Sequence, residues 1–298
     1  MTTSSLFDAL IARIEAGERL SGDEIAQLAT TPDILPLGML ADVLRRRIHH
    51  ARVTYLRVAY CAFDQSFADA VPPPAREVRI TGEPPGLDVA LAAVESAKAV
   101  AGTRTVSGFS WMDVERLAEN SDPVDVLKRL RAEGLDAVAE VPLDRIADPD
   151  GAFDRLVTAG FTRVRLSIEK APPGDRVALL MRAAQLQERF PVIQSFDPLP
   201  TALNAFRPTT GYEDVKMVAL ARLAAPAIPT IQVDWPRYGP KLAQVALTFG
   251  ADDLDGVPAS DDAPDGRRRA PIEELRRNIE AAGFEPAERD GNFDLVAR

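Results

Sequence analysis

Glu83, Glu169, Asp197 and Asp234 each stand near the C-terminal end of a short β-rich run, in "EVRITGE", "TRVRLSIE", "PVIQSFDP" and "TIQVDWP". A carboxylate so placed can give a proton to a bound molecule or take one from it, so the chemistry on offer is general acid–base catalysis. Glu140 falls near a fifth such end. Side chains of a strand point to opposite faces with a period of two. Arg79, Thr81 and Glu83 therefore share one face, as do Arg163, Arg165, Ser167 and Glu169, and Gln232 with Asp234. The opposite faces carry Val78 and Ile80, then Val164, Leu166 and Ile168, then Ile231, Val233 and Trp235. Arg79 and Arg165 are suited to clamping a ligand carboxylate, and Ser167 and Gln232 add hydrogen-bonding groups. Burying such residues without partners is costly. Two readings follow: ion pairs among themselves, for example Arg165 with Glu169, or a wet cavity that binds something polar. The position of the carboxylates at strand ends favours the cavity.

The elements that must position these residues alternate. Seven β-rich runs begin near residues 52, 77, 103, 135, 162, 191 and 230, and helical stretches such as "LDVALAAVESAKAVAG" and "DRVALLMRAAQLQERF" separate most of them. Alternation of this kind implies a parallel sheet. Without a Gly-rich dinucleotide loop, the repeats favour an α/β fold of the TIM-like (β/α) barrel type, whose active sites sit at the C-terminal ends of the strands. The interval "CAFDQSFADAVPPPAR" is too short and Pro-rich for a crossover helix. Residues 1–50 read as a helical extension in which Ser21 and Glu24 form a capping box, residues 51–251 as the barrel, and 252–298 as a C-terminal loop and helix. In the loop, 252–270 reads as polar and irregular. The helix that follows has Pro271 in its first turn and Gly283 at its end, and "FDLVA" reads as a closing strand.

Composition narrows the function. The 298 residues carry a net charge of −10, which argues against nucleic acid as a partner. No apolar run is long enough to span a membrane. The N-terminus lacks the basic and apolar regions of a signal peptide, and a single cysteine cannot form an internal disulfide, so a cytoplasmic protein is expected. The two histidines, His49 and His50, are adjacent at a helix end. There they suit the helix dipole better than a shared metal.

At "IPTIQVDWPRYGPKLAQVALTFGADDLDGV" the chain resembles the radical S-adenosylmethionine enzymes of the futalosine route to menaquinone, aminofutalosine synthase and the related cyclase, together with FO synthase. "LGMLADVLRRRIHHARVTY", "RPTTGYEDVKMVALARL" and "EELRRNIEAAGFEPAERDG" extend the resemblance over most of the chain. It implies a radical-SAM-type barrel and a CxxxCxxC motif after the first strand, whose three thiolates hold a [4Fe-4S] cluster. Here Cys61 in "YCAF" matches the third cysteine, and the first two are absent. The cluster is therefore not expected, and Cys61 reads as a remnant, either a small buried hydrophobe or a reactive thiol. S-adenosylmethionine is the one cofactor the resemblance leaves open, with Gly82 and Glu83 partly matching the loop that meets its methionine end. The family's glycine-rich substrate loop is here "AVAEVPLDRI", without glycine.

The resemblance implies a cluster-free member of this family. In one reading it serves menaquinone or related cofactor biosynthesis and binds a nucleoside-like or aromatic carboxylate small molecule. In the other it is a non-catalytic protein partner of an intact paralogue. In the retained segment, the helix after Pro240 is expected to pack Leu242, Val245, Ala246 and Phe249 against the barrel, with Gly250 at its end. Asp252, Asp253 and Asp255 beyond it read either as turn formers or as ligand-binding groups at the barrel mouth.

Overall fold

Eight strands pair in parallel and close on themselves, each taking its neighbour from the next run in the sequence. The structure, a computed structural model, describes residues 3–68, 70–119, 121–170, 174–202, 210–260 and 272–296. Three helices come first: α1 (Thr3–Ala16), α2 (Gly22–Ala29) and α3 (Ile34–His49). The capping box expected at Ser21 and Glu24 is present, and Leu37, Leu40, Ala41 and Leu44 of α3 are buried. The barrel strands are β1 (Arg52–Ala62), β2 (Glu77–Thr81), β3 (Thr105–Ser110), β4 (Ala137–Pro142), β5 (Val164–Ile168), β6 (Ile193–Pro200), β7 (Thr230–Asp234) and β8 (Asp253–Pro258). Between them run α4 (Leu87–Ala101), α5 (Trp111–Ala118), α6 (Pro123–Glu133), α7 (Pro149–Thr158), α8 (Arg176–Arg189), α9 (Gly211–Ala224) and α10 (Trp235–Leu247), and α11 (Ile272–Ala281) with β9 (Glu285–Glu288) follow.

The β1–β2 connection contains only turns among its described residues, as its length and prolines predict. Barrel closure comes from β1, which pairs with β8 on one side and with β2 on the other. The N-terminal half of β1 lies beyond the start of β2, and β9 fills that gap, pairing Arg52–Tyr55 with Glu285–Glu288.

Several expectations are corrected. The barrel does not stop at 251, because "DLDGVP" is its eighth strand. Asp253 and Asp255 give that run the look of a turn, yet they alternate with Leu254 into a polar lumen and so satisfy the period of a strand. The stretch "MDVERLAENSDPVDVLKRLRAEG", which the same periodicity reads as one helical stretch, breaks into two helices: Glu119 takes φ 47° and Asp122 caps a new helix at Pro123. "FDLVA" is not a strand among its described residues, since Leu295 makes only an isolated antiparallel bridge to Arg289. Val245 is 46% exposed, whereas Ala246 and Phe249 are buried as expected and Leu242 is partly buried. Gly250 does terminate α10: it takes φ +102° and Ala251 N–H donates to the Ala246 carbonyl at 3.1 Å. Pro271 and residues 261–270 lie outside the described residues.

Candidate functional site at the barrel mouth

The lumen is polar in two tiers. The lower tier is a closed ion-pair network. Arg165 donates from both terminal nitrogens to Glu77, at 2.8 and 2.6 Å, and from one of them to the Gly291 carbonyl at 2.9 Å. Arg79 bonds Glu77 through Nε at 2.8 Å and grips Asp255 at 2.8 and 3.1 Å. Arg289 grips Asp253 with two bonds of 2.7 Å, and its guanidinium lies 3.9 Å from the centre of the Phe293 ring. Ser107 donates to Glu77 at 2.6 Å and Thr54 to Asp253 at 2.6 Å. Burial alone would raise the Glu77 pKa, but the Arg165 and Arg79 guanidiniums more than offset it and the value falls to about 2. Asp255 is likewise held below the ordinary carboxylate range, burial being outweighed by Arg79.

Above this floor the barrel opens into a cavity of about 870 Å³. Its lining includes Glu83, Glu169, Asp197, Asp234, Arg79, Arg165, Ser167 and Gln232, and also Thr81, Glu140, Arg237 and Asp255. Strand register explains the row at its centre. Leu166 pairs with Phe196, and Phe196 with Ile231. The next residues, Ser167, Asp197 and Gln232 on β5, β6 and β7, all line the cavity, although the β5–β6 register shifts between Leu166 and Ile168. The Ser167 hydroxyl and the Arg165 Nε are buried and have no hydrogen-bond partner.

The carboxylates of the mouth differ in how they are held. Asp234 caps α10, accepting from Arg237 N–H at 2.9 Å, and pairs with the Arg237 guanidinium at 3.1 Å. Glu169 pairs with Lys170 at 2.9 Å and with Arg145 at 3.3 Å. Glu83 is exposed at the rim. Asp197 accepts a hydrogen bond from Leu199 N–H at 3.0 Å. Burial pushes its pKa well above the ordinary value, and the Leu199 N–H and Arg237 counter this only in part. Burial also raises Glu140 and Asp234, again against the pull of Arg237.

Three expectations fail here. Asp252 does not reach the mouth: it is buried at the opposite end, paired with Arg222 and 3.2 Å from His49 Nε2, and it accepts from Ile231 N–H. Asp253 belongs to the floor, held by Arg289. Arg79 and Arg165 do line the cavity, but Asp255 and Glu77 already occupy their paired donors, so neither offers a free fork to a ligand carboxylate. Sequence reading also missed the weight of Arg237 and Glu77. Arg237 had a legible signal, the Asp234-x-x-Arg237 spacing after a strand with Pro236 between, which is a helix start.

Cys61 alternates away from the lumen. Its register partner is Ile80, while Tyr60 pairs with Arg79 on the cavity side. The thiol is fully buried, and burial pushes its pKa up to about 11. With one cysteine in the chain, facing the core, the residues present do not fit a [4Fe-4S] cluster. Among the described residues, no cluster of His, Cys, Asp and Glu could hold a metal ion.

The family profile described as the CofH/MqnC C-terminal region matches residues 194–297. A 5-amino-6-(D-ribitylamino)uracil–L-tyrosine 4-hydroxyphenyl transferase from Archaeoglobus fulgidus is 30% identical over 242 residues, covering 70% of each chain. The chain belongs to this radical S-adenosylmethionine family, that of the futalosine and FO synthase enzymes. Aminodeoxyfutalosine synthase from Thermus thermophilus is 26% identical over 95% of this chain and 94% of its own. The fold is shared with the hydrogenase maturase HydG, at TM-score 0.69, 16% identity and coverage of 96% and 76%. Methylornithine synthase PylB is similar at TM-score 0.68, 16% identity and coverage of 95% and 98%. No helix among the described residues is long and apolar enough to cross a membrane.

Proposed function

We propose that the barrel mouth binds a polar, nucleoside-like small molecule of menaquinone or related cofactor biosynthesis, and does so without a [4Fe-4S] cluster. The observation that carries this reading is the polar row of Ser167, Asp197 and Gln232, contributed by three neighbouring strands and all lining one open cavity. A nucleoside presents the hydroxyls and ring edges that such a row can hydrogen-bond. An aromatic carboxylate is the less suited ligand, because the guanidiniums that would clamp it are already paired. Asp197 is the acid–base residue of this reading: burial makes its carboxyl hold a proton more tightly than an exposed carboxylate does. Asp234 holds Arg237 in place, Glu169 forms one wall, and Glu83 stands at the rim. S-adenosylmethionine is the cofactor that the family implies, and Gly82 with Glu83 is where its methionine end would sit.

The alternative, a non-catalytic partner of an intact paralogue, draws on Leu35 and Met39, one turn apart on α3 and 68% and 60% exposed. Two measurements test the first reading. Anaerobic reconstitution with iron and sulfide should leave the protein colourless, and about four irons per chain with a brown absorbance band would refute the cluster-free part. Titration calorimetry with adenosine and its 5′-substituted analogues should show binding that is lost in Ser167→Leu. Failure of every nucleoside to bind would remove the nucleoside reading.

A further inference from the structure

Two register-paired positions beneath the cavity carry polar atoms that nothing in the protein satisfies. Arg165 on β5 is the partner of Ser195 on β6, and the next pair along, Leu166 with Phe196, keeps the same register. Partners on neighbouring parallel strands present their side chains to the same face. Arg165 faces the lumen, where its terminal nitrogens bond Glu77 and the Gly291 carbonyl, so Ser195 faces the lumen beside it. The Arg165 Nε–H and the Ser195 hydroxyl are both buried and have no hydrogen-bond partner among the described residues. Ser195 is fully buried and Arg165 is 4% exposed. Ser167, two positions on along the same face of β5, has a hydroxyl in the same condition.

Leaving several neighbouring polar atoms buried without partners is costly, and native interiors seldom do so. We infer that Arg165 Nε and Ser195 Oγ, with Ser167 Oγ as the third partner, hold an internal water between the ion-pair floor and the cavity above it. The strands that carry Arg165 and Ser195 lie about 4.8 Å apart, a separation that one water spans. Three partners is also the usual number for a buried water.

The chemistry of the three groups selects a neutral guest that both accepts and donates. Nε–H only donates, so its partner must accept, whereas each hydroxyl does either. Charge disfavours the other small guests. In the floor Arg165 pairs with Glu77, Arg79 with Glu77 and Asp255, and Arg289 with Asp253, so three guanidiniums already meet three carboxylates. An added anion would be buried without a counter-charge, and an added cation would face the Arg165 Nε–H. The water occupies the one nitrogen of Arg165 that the floor leaves unbonded. The inference is independent of what the mouth above it binds.

A crystal structure of the wild-type chain, at a resolution that orders internal water and after a bromide soak, reads the site directly. The expected result is one water-sized peak about 2.7–3.2 Å from both Arg165 Nε and Ser195 Oγ, with no anomalous bromide signal. An anomalous peak there would make the guest an anion and overturn the inference, and so would the lack of any peak. Thermal melting gives a second readout whose sign differs between the two cases. If a water bridges the groups, Ser195→Ala takes a partner from it and should lower the melting temperature by about 2 °C. If the hydroxyl has no partner at all, the same variant removes a buried unsatisfied group and should melt at or above the wild-type temperature, which would overturn the inference. Should Ser195→Ala fail to fold, the wild-type crystal decides alone.

Discussion

Asp197 is the residue in which site and stability conflict most directly. Its carboxyl is buried, lacks an ion-pair partner among the described residues, and is held well above its ordinary pKa chiefly by burial. A folded pKa above the unfolded one means the native state binds the proton more tightly. The resulting stability is complete below the unfolded value, about 4, and is lost as pH rises through the folded value. A tenfold change in acid strength corresponds to about 1.4 kcal/mol. Asp197→Asn keeps an oxygen to accept from Leu199 N–H and removes the charge. Its melting temperature should exceed that of the wild type at pH 7 by about 2 °C or more, and the two curves should converge near pH 4. An unchanged or lower melting temperature at pH 7 would show that the carboxylate is compensated by something else. Much of this site was legible in the sequence, because face alternation places Arg79, Arg165, Ser167, Gln232 and Asp234 inward whatever the details of the fold. Which inward groups neutralise one another was not legible. That depends on height within the barrel and on β9, so Arg79 and Arg165 read as free clamps when they are floor pairs.

At the scale of elements, period and punctuation found seven of the eight barrel strands, since each carries β-branched or aliphatic residues on its outer face. The eighth escaped because three aspartates and a glycine in "ADDLDGV" carry the residue signature of a turn. Only a polar lumen makes Asp253 and Asp255 acceptable inward positions, and that lumen is a property of the whole barrel. The same segment depends on Gly250, which ends α10 and redirects the chain into β8. Its φ of +102° disfavours any side chain, and an added Cβ would lie 3.0 Å from Arg222 Cβ and 3.1 Å from Ala41 Cβ. Gly250→Ala should therefore cost more than the roughly 1 kcal/mol typical of glycine's conformational freedom and lower the melting temperature. Gly86→Ala is the control: that residue has φ −167° and no neighbour within 4 Å of an added Cβ. Equal melting of the two variants would mean that the backbone at 250 relaxes without loss.

For the molecule as a whole, the C-terminal segment acts as the plug of the barrel. β9 extends the sheet beside β1, Arg289 enters the lower tier, and the Gly291 carbonyl accepts from Arg165. The tier contains three guanidiniums, Arg79, Arg165 and Arg289, and three carboxylates, Glu77, Asp253 and Asp255, so its charges balance only with the plug in place. Removing one member of a buried pair strands the other, at a cost of about 3–5 kcal/mol, whereas replacing both by apolar residues is often close to neutral. Arg289→Met should thus lower stability to chemical denaturation by about that amount, because Asp253 loses both of its 2.7 Å bonds. The double variant Arg289→Met, Asp253→Leu should recover most of the loss, leaving Thr54 to lose only its bond to Asp253. A stranded Asp253 also predicts a pH signature: the deficit of the single variant should shrink as acid protonates the carboxylate, and the double variant should show no such change. If Arg289→Met unfolds at the wild-type denaturant concentration, the segment merely rests on the barrel and the floor network does not need it. If the single variant is destabilised but the double recovers nothing, the loss comes from packing on Phe293 and not from charge, and the balance argument fails.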